Sequence, residues 1–71
     1  MKHAHVDDAD VDAFIAKYLP QLDPAWTAER RANALYDLAL NLIPLLDDEA
    51  SKAWTAELAQ RVRKRAMWMT P

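Results

Sequence analysis

The sequence predicts a small all-α protein, either a three-helix bundle or a helical hairpin whose third helix completes its core through a dimer. The chain has 71 residues, contains no glycine and no cysteine, and is about half apolar. Glycine weakens helices whereas alanine and leucine, both abundant here, favour them. Without cysteine, disulfides cannot reinforce so short a chain, so helix packing, self-association or a partner must do so.

The first helix is expected over residues 8–19. Asp7 or Asp8 can cap its start, where a carboxylate favours the positive end of the helix dipole. Pro20 should end it, because proline lacks a backbone donor and restricts the residue before it. The apolar positions follow a helical period: Val11, Phe14, Ile15, Tyr18, Leu19 and Leu22.

The second helix is expected over residues 24–43. Asp23 is a suitable N-cap, Pro24 suits the first helical position, and Pro44 should break the helix. Its apolar arc is wider than that of an ordinary surface helix, which predicts contact with more than one neighbour. The central stripe consists of Ala28, Ala32, Leu35, Ala39 and Leu42.

The third helix is expected over residues 48–68, with Asp47 or Asp48 as its cap. Glu57 and Arg61 stand four residues apart in the orientation that favours an ion pair on a helix. The apolar stripe is narrower: Trp54, Leu58, Val62, Ala66 and Met69. Together, the elements predict a single helical domain over residues 7–71 after a flexible tail, residues 1–6.

The sequence offers little for catalysis, and we expect a protein that is not an enzyme and uses no cofactor. A chain without glycine has no phosphate-binding glycine loop and no glycine-dependent nucleophile elbow. The two histidines, His3 and His5, fall in the tail, away from every serine and threonine.

Two patterns resemble metal sites, but we predict no metal site. Asp8, Asp10 and Asp12 alternate as in a calcium loop, yet the required glycine and glutamate positions are alanine and leucine. A histidine at position 3 has the form of an amino-terminal copper or nickel site, which is a weakly specific motif.

No run of apolar residues reaches the roughly 18 needed to cross a membrane, and the first residues do not resemble a signal peptide. These features lead us to expect a cytoplasmic protein. Its size is typical of small bacterial and phage-borne inhibitors, an analogy of size alone.

Basic and apolar side chains concentrate at the end of the third helix. On a helical wheel Arg61, Lys64 and Trp68 share one flank, while Arg65 falls within the apolar stripe. Arginine beside tryptophan is a common interface composition. The predicted partner-binding residues are Arg61, Lys64, Arg65, Met67 and Trp68, together with Trp26 at the start of the second helix.

The leading interpretation is a protein-binding module, an accessory subunit or inhibitor that occupies a surface of a larger protein. An alternative is nucleic-acid binding through Arg61, Arg63, Lys64 and Arg65, although the net charge of −2 counts against it. A homodimeric structural module is a third interpretation, and binding to an anionic membrane is the least favoured. The same cluster also fits a solvated helix end without a ligand.

Overall fold

The structure, a computed structural model, describes residues 5–68 and confirms the all-α, three-helix fold. No strand occurs in this part of the chain. A short 3-10 turn follows each of the first two helices, at Leu19–Gln21 and at Ile43–Leu45. The helices are α1 (Asp8–Tyr18), α2 (Ala28–Leu40) and α3 (Glu49–Met67).

The start of α1 is fixed by a reciprocal capping box. The backbone N–H of Asp10 donates to Asp7 Oδ1 at 3.0 Å, and that of Asp7 donates to Asp10 Oδ2 at 3.1 Å. Two amide groups without a helical partner are thereby satisfied. Just before the cap, Val6 is only 3% exposed and belongs to the core. The packed part of the chain therefore begins within the segment predicted as a tail, of which residues 1–4 lie outside the described region.

The predicted start of the second helix is wrong, because α2 begins at Ala28 and not at Pro24. Thr27 is the N-cap, and its Oγ1 accepts from the N–H of Arg30 at 3.1 Å. Asp23 instead accepts from the N–H of Ala25 at 2.9 Å, a contact that closes a turn. An Asp-Pro pair suits a turn as well as a helix start, and here the turn prevails.

The predicted end of this helix was also late. The last residue of α2 is Leu40, three residues before the expected boundary, and Pro44 lies in the following 3-10 turn. A proline ring in a continued helix would clash with the carbonyl four residues earlier, which belongs to Leu40. The helix therefore ends where that clash would begin.

The third helix was predicted almost correctly. Asp48 caps it, with Oδ2 accepting from the N–H of Ser51 at 2.8 Å. This backbone hydrogen bond, supported by the Ser51 hydroxyl, lowers the pKa of the Asp48 carboxyl. The helix runs to Met67, with Trp68 as its C-cap.

Both other helices pack against α3, and the contact with α2 is the more extensive. Leu35 of α2 and Val62 of α3 are the largest side chains with no exposed surface. Alanines at positions 32, 39 and 59 are also fully covered, and such small side chains let helices approach closely. The complete set of buried apolar residues is Val6, Val11, Phe14, Ile15, Ala32, Leu35, Ala39, Leu58, Ala59, Val62 and Ala66.

The buried side of α3 is rotated slightly from the predicted stripe. Thr55 and Ala59 are buried, whereas Trp54 is half-buried at the edge of the core. Met69, predicted at the end of the stripe, lies outside the described residues. Within residues 5–68, no helix has both the length and the apolar character needed to cross a membrane.

Candidate partner-binding surface

The end of α3 carries the most exposed large apolar side chain of the described region. Trp68 is 81% exposed and the neighbouring Met67 is 45% exposed. Four basic side chains on the last two turns of the helix are also exposed, and three of them were predicted as partner-binding residues. We call the five residues the Trp68 surface: Arg61, Lys64, Arg65, Met67 and Trp68.

Two of the basic residues on this surface are held by carboxylates. Arg61 Nε lies 2.9 Å from Glu57 Oε2, which confirms the ion pair expected from their spacing. Arg65 Nη2 lies 2.9 Å from Asp12 Oδ1 and thereby ties α3 to α1. Both pairs are about half-exposed, so water screens them and each contributes little to stability.

Lys64 differs from Arg61 and Arg65, because it forms no salt bridge with any residue in the range 5–68. It lines open grooves on either side of the Trp68 surface. One groove, of about 770 Å³, runs between α3 and α2 and includes Tyr36, Gln60 and Met67. A smaller one, of about 250 Å³, lies between α3 and α1 and includes Asp8 and Trp68.

Arg63, the fourth basic residue of this segment, is directed toward α2. Its Nε donates to Asn33 Oδ1 at 3.1 Å, and its guanidinium carbon lies 5.4 Å from the centre of the Tyr36 ring. The basic residues therefore do not form a single face: Arg63 joins α3 to α2, and Arg65 joins α3 to α1.

The sequence did not identify the residues that the other helices add to this region. Tyr36 of α2 lines the larger groove, while Asp8 and Val11 of α1 line the smaller one. The wide apolar arc of the second helix, which includes Tyr36, was a partial signal. No comparable signal linked Asp12 of α1 to Arg65, which stands more than fifty positions later in the chain.

Trp26 is separate from the Trp68 surface. It is half-buried and precedes α2, and the guanidinium of Arg30 lies 4.4 Å from its ring centre. Arg31 Nη1 donates a hydrogen bond to the Trp26 carbonyl. Trp26 lines neither of the two grooves described above. The structure therefore does not bring Trp26 together with the other five predicted site residues.

Three side chains with hydroxyl or carboxylate groups, which could serve catalysis or metal binding, have roles in the fold. Thr55 is buried and Thr27 caps α2, while Asp10 belongs to the capping box of α1. Within residues 5–68 no group of three or more histidine or carboxylate side chains is placed to hold a metal ion. His3 lies outside this range.

Comparisons with known proteins leave the surface to be interpreted on its own chemistry. Neither the scan against protein-family models nor the searches of curated proteins and of solved structures found a significant match.

Proposed function

We propose that the chain is a protein-binding module that occupies a surface of a larger protein through the Trp68 surface. The observation that supports this most strongly is the 81% exposure of Trp68. The proposal assigns the chain no catalytic step and no cofactor.

An exposed tryptophan contributes nothing to the core but much to an interface. Burial of its roughly 150–250 Å² of mostly apolar surface, at about 25 cal/mol per Å², releases several kcal/mol. Tryptophan and arginine are the residues on which binding free energy most often concentrates. Met67 beside it extends the apolar patch with a side chain that adapts to irregular surfaces.

The basic rim indicates the chemistry of the partner. Lys64 lines one groove together with Met67 and Trp68, whereas Arg61 and Arg65 are already paired with carboxylates. The matching surface is therefore an apolar pocket with an acidic group placed to meet Lys64. Lys64 has no carboxylate partner within residues 5–68, and its charge is the one most readily offered to another molecule.

Nucleic-acid binding is less well supported by the same contacts. A phosphate would compete with Glu57 for Arg61 and with Asp12 for Arg65, while Arg63 is directed toward Asn33. Binding of this kind would weaken steeply with added salt, because phosphate contacts release counterions. A mobility shift with single- and double-stranded DNA and RNA in low salt tests the alternative, and retention that disappears with salt would favour it over the protein partner.

The proposal is tested by capture of a partner from cells that naturally produce the chain. We expect Trp68→Ala to lose the captured protein while the far-ultraviolet circular dichroism spectrum stays unchanged. Leu45→Ala is the matched control, because Leu45 is 77% exposed but lies at the other end of α3. It should capture the partner as the wild type does.

Equal capture by the wild type and by Trp68→Ala would contradict the proposal. So would equal loss of capture in both variants, because binding would then not depend on the Trp68 surface. A second substitution, Lys64→Glu, tests the rim separately and should mainly slow association, an effect that becomes smaller at high salt.

A further inference from the structure

A second exposed apolar site lies at the connection between α2 and α3. Leu45 is 77% exposed and Leu42 is 36% exposed. A run of acidic residues begins two positions after Leu45, and Asp47 is its first member. We call Leu42, Leu45 and Asp47 the Leu45 tip.

The Leu45 tip and the Trp68 surface stand at opposite ends of one rigid element. Leu45 comes four residues before α3, and Trp68 directly follows that helix. The helix has 19 residues, and at 1.5 Å per residue it rises about 28 Å. The two apolar sites of a single molecule therefore cannot cover each other.

The charges beside the two apolar sites are opposite. Asp48 caps α3, and Glu49 lies 3.5 Å from Lys52, but residues 5–68 provide no salt bridge for the exposed Asp47. Lys64 is the corresponding cation on the Trp68 surface. An apolar site with an available carboxylate thus matches an apolar site with an available ammonium group.

We propose that the Trp68 surface of one copy binds the Leu45 tip of a second copy. This inference rests on the proposed function to the extent that it uses the same Trp68 surface, and the larger partner would displace the second copy. Because the two contacting sites differ, the association is head-to-tail and generates short chains or a ring.

The contact is expected to be weak and dependent on concentration. The molecule measures 42 × 22 × 16 Å, and one end of it cannot supply the about 800 Å² per partner of a standard interface. A symmetric contact between two Trp68 surfaces would bring both copies of Lys64 into one interface with no Asp47 to meet them, and like charges disfavour that arrangement.

Sedimentation equilibrium of the purified chain over a hundredfold range of concentration tests this inference. We expect an apparent mass that rises with concentration, and an association constant that falls at least tenfold in Trp68→Ala and in Leu45→Ala. Asp47→Lys and Lys64→Glu should each weaken association severalfold. The double variant D47K/K64E should restore it, since it recreates the opposite charges across the contact at the wild-type net charge.

A monomer at every concentration would overturn the inference, as would a double variant that associates no better than the single ones. A dimer that depends on Trp68 but not on Leu45 would also overturn it, in favour of a symmetric contact. None of these results affects the capture experiment, in which Leu45→Ala should still bind the larger partner. Failure of self-association and failure of the proposed function are therefore distinguished.

Discussion

The buried side of α3 and its exposed end use apolar residues in opposite ways. Leu58, Val62 and Ala66 are buried against the other helices, whereas Met67 and Trp68, next in the chain, face solvent. A tryptophan side chain is thus placed where it contributes little to the core. The core of the bundle is therefore complete without Trp68, so that residue is available for a contact with another molecule.

The largest expected effect comes from the buried side. Leu35→Ala removes a fully buried side chain of α2 and leaves a cavity opposite α3. We expect a loss of about 2–5 kcal/mol in the free energy of unfolding, a large fraction of the stability of so small a domain. Urea denaturation followed by circular dichroism measures this loss.

Leu45→Ala makes the same chemical change at an exposed position and serves as its control. In dilute protein it should change the unfolding free energy by no more than about 0.5 kcal/mol. Similar losses of unfolding free energy in Leu35→Ala and Leu45→Ala would contradict the view that the buried leucine stabilises the fold and the exposed one does not.

A smaller effect on the free energy of unfolding is expected to distinguish Arg65 from Lys64 on the Trp68 surface. Arg65→Ala removes the ion pair with Asp12 that ties α3 to α1, and we expect a loss of about 0.2–1 kcal/mol. Lys64→Ala should have a smaller effect, because it breaks no ion pair within residues 5–68.

Urea titrations of both variants at low and high salt check this order. The Arg65 effect should shrink as salt screens the ion pair. A larger loss for Lys64→Ala at low salt would mean that Lys64, and not Arg65, contributes to the fold.

The smallest effect concerns the start of α3 and its dependence on pH. Hydrogen bonds from Ser51 hold the pKa of Asp48 below its ordinary value of 3.8. A lowered folded-state pKa means that the ionised cap stabilises the fold above the ordinary pKa, and that this stabilisation is lost as the pH falls through the folded-state value.

Asp48→Asn keeps an acceptor oxygen but removes the titration. The stability difference between the wild type and this variant should therefore narrow between neutral pH and pH values below 3.8, which unfolding curves at several pH values measure. A difference that stays constant with pH would show that the charge of Asp48 has no part in the capping.

Local signals in the sequence were sufficient for most of the fold. The caps of α1 and α3, the helical period of the core and the Glu57–Arg61 pair all depend on residues within one or two turns of each other. The start of α2 was predicted wrongly because the Asp23-Pro24 pair suits a helix start and a turn equally well. Only the packed structure decides between these two geometries. The end of α2 was predicted too late because Pro44 restricts the helix four residues upstream, at the carbonyl of Leu40, and not only at the residue before it.

The surroundings of the Trp68 surface were less predictable, because they depend on contacts between helices. The sequence correctly placed Arg61, Lys64, Met67 and Trp68 near one another on a single helix. It did not reveal that Arg63 and Arg65 are directed to different neighbouring helices, which follows from how far each helix is rotated about its axis. It also grouped Trp26 with this surface, although the structure places that residue among the arginines of its own segment.

The arrangement of α1 and α2 around a shared third helix has a consequence for how the molecule opens. Since α1 contacts α3 less extensively than α2 does and approaches α2 at few points, we expect α1 to detach more readily than the α2–α3 hairpin opens. Its amide protons would then exchange with solvent by local opening, whereas those of Leu35 and Val62 require global unfolding. Loss of α1 would also remove the wall that Asp8 and Val11 contribute to the smaller groove beside Trp68, so this groove exists only while α1 is packed on α3.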